Sequence, residues 1–126
     1  MKKYSDYLYF IFRVLVGLFF LMHGGQKLFG WFGGLGGNPA ELVSLMGLAG
    51  IIEFFGGLAI LLGIFTRVVA LIAAVEMLAA LFMAHFPRGY VLIINGGEPA
   101  ALFFTSFLVM IAYGSGKWAL DRYFKK

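Results

Sequence analysis

The stretch 50-GIIEFFGGLAILLGIFTR-67 decides how this chain is read. Between Gly50 and Thr66 its one charged residue is Glu53. A membrane-spanning helix needs about 20 mostly apolar residues, and 42–65, which contains most of this stretch, supplies them. A carboxylate at membrane depth is costly and faces the bundle interior or a water-filled cavity. The stretch therefore predicts a spanning helix with one polar, inward side.

The rest of the chain agrees. Of its 126 residues 62% are hydrophobic and 13% charged, whereas a soluble domain carries roughly a quarter charged residues. This composition excludes a water-soluble domain and defines an integral membrane protein. The net charge of +4 is no sign of nucleic-acid binding, because the charges lie at chain ends and segment boundaries. There is no cysteine, so the chain cannot carry out thiol–disulfide chemistry, and cysteine usage says nothing of its redox compartment. The first apolar run is longer than a signal-peptide core and reads as a retained anchor.

Three further segments match the first: 7–29, interrupted by Arg13, His23 and Lys27; 68–86, interrupted by Glu76 and His85; and 99–115, slightly short and uncharged. The expected fold is an all-α, four-helix transmembrane bundle occupying 1–126 as one domain. Helix starts are marked. "GGNPAEL" (36–42) offers Asn38 as N-cap, Pro39 at the first helical position and Glu41 two residues on, and "GGEPAAL" (96–102) places Glu98 at the start of the last helix. Gly63 can end the second helix and Thr66 cap the third, giving a very tight connection. "GWFGGLGG" (30–37) lacks the Lys-Ser/Thr of a phosphate loop and reads as a flexible, apolar outer loop. "KWALDRYFKK" (117–126) leaves the membrane through an interfacial Trp, Tyr and lysines.

With four spans, both termini and the middle turn share one side, which carries Lys2, Lys3, Arg67, Lys117, Arg122, Lys125 and Lys126. The other side carries Lys27 and Arg88. The positive-inside rule then places both termini in the cytoplasm, in the cytoplasmic membrane. The two Gly-Gly-x-Pro-Ala starts lie 60 residues apart, and His23 and His85 lie 62 apart. This spacing suggests two helical hairpins in the same orientation, although helix starts also converge on Gly and Pro without any repeat.

Two sets of ionisable residues stand out. From about 1.5 Å rise per residue, Glu53, Glu76 and Arg13 lie roughly 16, 14 and 10 Å into their helices from one side. They can meet inside the bundle, either as an ion pair that fixes packing or as a proton-handling, ligand-orienting group. Two adjacent carboxylates in low dielectric do not both stay ionised. His23 and Lys27 are one turn apart, and with His85 and Glu98 they form a polar cluster at the opposite mouth. That cluster is open to three readings. It can anchor at the interface with Lys27 snorkelling. It can bind the head of a lipid-soluble molecule such as a quinone, since imidazole and carboxylate exchange protons with carbonyl oxygens. Or His23 and His85 can ligate a haem, for which two histidines are a weak signal. No closed metal site can be written from two histidines without cysteine. Gly17, Gly24, Gly56 and Gly57 read as close-approach positions between helices.

An Arg in helix 1, Gly24 and Lys27 at its end, "E-F-x-G-G-L-x-x-L-L-G-x-x-T-R" at 53–67, His85, "N-G-G-E" at 95–98 and "G-x-G-x-x-x-L-D" at 114–121 together resemble the DoxX family over nearly the whole chain. Glu76 is not part of that pattern. The family is similar to the small membrane subunit of an archaeal thiosulfate:quinone oxidoreductase, and bacterial members are linked to membrane redox and oxidative-stress complexes. The resemblance implies a subunit of a quinone-linked redox complex. It carries over Arg13, Lys27, Glu53, Arg67, His85 and Glu98 as the family's charged positions. With no redox centre of its own in sequence, the chain would take electrons from a partner or a bound cofactor. The rival expectation is a non-enzymatic scaffold or a small transporter-like binder, with Arg13–Glu53 pinning the helices. A homo-oligomer is expected from the apolar flanks.

Overall fold

A computed structural model describes residues 2–34, 44–89, 91 and 96–124. Helix α1 runs Lys2–Phe29, followed by a single 3-10 turn at Trp31–Gly33. Helix α2 spans Leu45–Leu62 and α3 spans Thr66–Ala80. A π-helical turn, Leu81–His85, and a 3-10 turn, Phe86–Arg88, extend α3. Helix α4 spans Glu98–Tyr113, and a short α5, Asp121–Phe124, closes the described chain. Three of these segments, Tyr4–Phe29, Leu45–Leu62 and Thr66–His85, are long and apolar enough to cross a membrane. The apolar α4 has 16 residues, or about 24 Å of helix against a hydrocarbon core of roughly 30 Å. No strand occurs among the described residues.

Burial is distributed as a bilayer demands. Leu15, Phe19, Phe55, Leu71, Ile72 and Val75 point outward and are exposed, while Arg13 and Glu53 are each only 2% exposed. Lipid tails solvate the apolar exterior, and the polar groups turn inward toward partners. The apolar core between them is built from Phe20, Ile60, Ala70, Ala73, Met77, Phe107 and Met110.

The helices pack as two pairs. Helix α1 lies closely along α2, and α3 along α4, whereas α2 meets α3 much less extensively. The two hairpins anticipated from the sequence are therefore the units of packing. Glycine sets the α1–α2 approach. A Cβ on Gly17 would lie 2.6 Å from Leu61 N, and one on Gly57 would lie 2.4 Å from Leu21 N. The two backbones touch where those side chains would stand. Gly24 is equally tight against Phe54, but Gly56 is not, since its nearest neighbour would be Val69 at 3.5 Å.

Helix ends depart from expectation in instructive ways. The expected cap at Asn38–Glu41 lies outside the described residues, as do residues 35–37 of the 30–37 loop. The N-cap of α2 is Ser44, whose Oγ accepts the Gly47 N–H at 3.0 Å. Gly63 ends α2 in the left-handed conformation, as its identity predicts. Thr66 does not cap α3. Phe65 takes that position at φ 48°, and its N–H is held by both oxygens of Asp121 at 3.0 and 2.9 Å. Thr66 is buried instead, with Ser115 Oγ 2.9 Å from its hydroxyl. The 114–121 tail thus folds back onto the α2–α3 turn. Leu120 N–H donates to the Leu62 carbonyl and Asp121 N–H to the Gly63 carbonyl, both at 3.0 Å. Tyr7 stacks on Trp118 at 4.7 Å, so the start of α1, the α2–α3 turn and the chain's last residues share one end of the bundle.

Candidate functional site

The structure groups the ionisable residues of the two expected polar sets differently. Arg13 meets neither Glu53 nor Glu76. Its Nε donates to Ile60 O at 3.0 Å and its Nη2 to Leu61 O at 3.2 Å. Its Nη1 donates to Ser115 O at 2.5 Å and Trp118 O at 2.9 Å. The residues 60 and 61 carbonyls belong to the last turn of α2, where helix geometry leaves acceptors without donors and where a cation is favoured by the helix dipole. Arg13 is therefore the clamp of the termini-bearing end, joining α1, α2 and the tail. The expected Arg13–Glu53 ion pair is corrected for a physical reason. Seven residues separate Glu53 from Ile60, about 10 Å along the helix, and the guanidinium makes its four hydrogen bonds to nearer carbonyls.

Glu53 finds its cation on the same helix as Arg13 but from the other end. Lys27 Nζ lies 2.7 Å from Glu53 Oε1, with the two side chains 14% and 2% exposed. Lys27 therefore turns into the bundle rather than snorkelling away from it. Glu76 on α3 lines the same cavity as Glu53 and Lys27, so Lys27, Glu53 and Glu76 come together from α1, α2 and α3. Two carboxyl groups in one low-dielectric interior do not both stay ionised. With one of them protonated, the trio is one ammonium, one carboxylate and one acid, a neutral set suited to such an interior. One oxygen of Glu76, Oε1, is buried and has no hydrogen-bond partner.

These groups open onto a cavity of about 310 Å³. His23, Lys27, Glu53, Glu76 and His85 all line it, and Phe20, Met77, Ala100 and Phe103 supply apolar walls. Phe103 meets the His23 ring edge-to-face at 5.4 Å. The π-helical turn ends at His85, and such turns recur at functional sites because they shift side chains off the regular helical register. Five of the seven candidate residues from the sequence thus come together. Arg13 lies at the other end, and Glu98, exposed at the first position of α4, is not among the cavity-lining residues.

The small and apolar lining residues were not singled out from sequence, although a signal was present. Met46, Ala49 and Glu53 follow helical spacing on α2, as do Glu76, Ala80 and Ala84 on α3, so each carboxylate heads a stripe of the residues beside it. Asp121 was likewise missed as a structural anchor. Its position in the "L-D" motif carries no hint that the tail folds back.

A bundle with an apolar exterior, hairpin-paired helices and a buried charged cavity is a small polytopic helical membrane protein. The chain belongs to the DoxX family, whose model matches residues 8–86. It is 37% identical over 131 residues to an uncharacterized protein of Haemophilus influenzae, covering 100% of this chain and 98% of the relative. It is 31% identical over 142 residues to the inner membrane protein YqjF of Escherichia coli K12, with the same coverage of each. It is 32% identical over 130 residues to the uncharacterized membrane protein Rv3486 of Mycobacterium tuberculosis, covering 90% of this chain and 79% of the relative. No solved structure matches.

Proposed function

We propose that this protein is a membrane subunit that binds the head of a lipid-soluble quinone in the Lys27–Glu53–Glu76 cavity, in a complex whose partner protein supplies the electrons. The observation that carries this reading is the convergence of five ionisable side chains from three helices on one cavity. Size fits the head group. An apolar cavity of about 150 Å³ accepts benzene, and this one is about 310 Å³, room for a substituted ring. The donor set fits as well. Lys27 keeps ammonium protons beyond the one given to Glu53 and can hold a carbonyl oxygen. His23 offers a ring nitrogen at the same wall. Glu76 Oε1 is an acceptor awaiting a hydroxyl. A bound quinone supplies two-electron, two-proton chemistry, and a carboxyl of the Glu53–Glu76 pair that holds a proton can deliver it.

The partner half of the reading is supported by the family's similarity to a thiosulfate:quinone oxidoreductase subunit. The Lys and Arg distribution supports cytoplasmic termini, which puts the cavity in the outer half of the membrane. The test is solvent extraction of the purified protein, with quinone quantified by mass spectrometry and a visible spectrum recorded to detect haem. The expected result is about one quinone per chain, by one-site mass action, and no haem band. No enrichment over a control membrane protein purified in the same detergent overturns the quinone site. If Glu53→Gln then lowers stability alone, the scaffold role stands in its place.

A further inference from the structure

We infer that the apolar groove between α2 and α3 is the ligand's entrance from the bilayer and the seat of its hydrocarbon chain. This rests on the reading of the polar cavity as a quinone-head site. The groove measures about 730 Å³ and lies between α2 and α3, which pack far less extensively than the two hairpin pairs. Leu45, Leu48, Ile52, Ile72, Val75 and Met83 line it. Apart from Glu76 none of its lining residues is ionisable, so it suits hydrocarbon and not a headgroup.

Continuity identifies the occupant. Met46, Ala49, Glu76, Ala80 and Ala84 line both the groove and the polar cavity. The three alanines keep that boundary low, and the carboxyl of Glu76 stands in it. Glu76 stands beside Glu53 in the cavity lining, and its Oε1 is buried without a hydrogen-bond partner. A molecule with its polar ring beside Glu76 has this groove as the direct path for its chain. A bilayer phospholipid does not match, because its headgroup stays at the interface, while Glu76 lies ten residues into α3, roughly 15 Å along the helix.

Ala79 lines the groove but not the cavity, so Ala79→Trp fills the first and leaves the second. The purified wild type and variant are titrated with a tailless benzoquinone and with the same ring bearing a ten-carbon chain, at fixed detergent concentration. The wild type is expected to bind the chain-bearing form more tightly. Ala79→Trp is expected to weaken that form by about tenfold or more, the loss of two or more buried methylenes, and to leave the tailless ring within about twofold. Val75→Trp, in the same groove, is the second variant should the first not fold. Equal affinity of the wild type for both forms, or parallel loss of both in the variants, overturns the groove as chain seat while the head site stands. Failure of the tailless ring to bind the wild type overturns the head site, and the groove assignment falls with it.

Discussion

At the scale of single residues, Arg13 and Lys27 turn inward with different tasks. Lys27 neutralises Glu53, and removing one partner of a buried pair leaves an uncompensated charge, at a cost of about 3–5 kcal/mol. Lys27→Met is therefore expected to destabilise the protein strongly, and Lys27→Met with Glu53→Gln to recover most of that loss. Thermal or denaturant unfolding in detergent of the two singles and the double measures the coupling, and additive losses would contradict the pairing. Arg13 has no such carboxylate, and its guanidinium fork serves four backbone carbonyls. Arg13→Lys keeps the charge but not the fork, so unfolding in detergent should show a loss of at least ~1.5 kcal/mol, one charged hydrogen bond's worth. A loss near zero would mean the fork is dispensable. The sequence made Glu53's inward direction legible but not its partner. Depth arithmetic brought Arg13 and Glu53 close, but it cannot register that carbonyls at the end of α2 compete for the guanidinium. Nor can it show that Lys27 reaches inward.

At the scale of elements, helix α1 fits α2 through glycines facing backbone. Gly57→Leu places a side chain where Leu21 N would be 2.4 Å from its Cβ. Overpacking of this kind costs roughly 1–3 kcal/mol or more. The same substitution at Gly56, where the nearest contact would be 3.5 Å, should cost less. The ranking Gly57 above Gly56 is the expected outcome of detergent unfolding, and the reverse order would contradict the packing described. Adjacent glycines look alike in sequence, and only the rotation of α2 against α1 separates them. The helices themselves were legible from composition, because a bilayer needs long apolar runs. Their ends were less so. Ser44, which no motif marked, caps α2, and Phe65 starts α3 with Asp121 as its acceptor. That contact spans 56 residues of chain, beyond any local pattern.

At the scale of the whole molecule, both termini and the α2–α3 turn cluster at one end, and the charged cavity lies toward the other. The chain has no cysteine, so single reporter cysteines are clean probes of sidedness. Cysteines at Ser5 and Tyr123 are expected to react with a membrane-impermeant maleimide only after the cells are opened, and one at Phe32 in intact cells. Labelling of Ser5 or Tyr123 in intact cells would reverse the proposed orientation. The pairing of α1 with α2 and α3 with α4 leaves α2 and α3 loosely joined, and that looseness positions both the cavity and its lateral opening. Hairpins were legible from the repeated Gly-Gly-x-Pro-Ala starts. The opening was not, because it depends on alanines at 49, 80 and 84 that sequence alone does not distinguish from ordinary membrane residues.

The most direct test of the quinone-head site is calorimetric titration of a tailless benzoquinone into the purified wild type and into the Lys27→Met, Glu53→Gln double variant, which keeps the interior neutral. Saturable binding near one per chain in the wild type, weakened by about tenfold or more in the double variant through loss of a charged hydrogen bond, is the predicted result. No saturable binding to the wild type, or equal binding to both proteins, would contradict it.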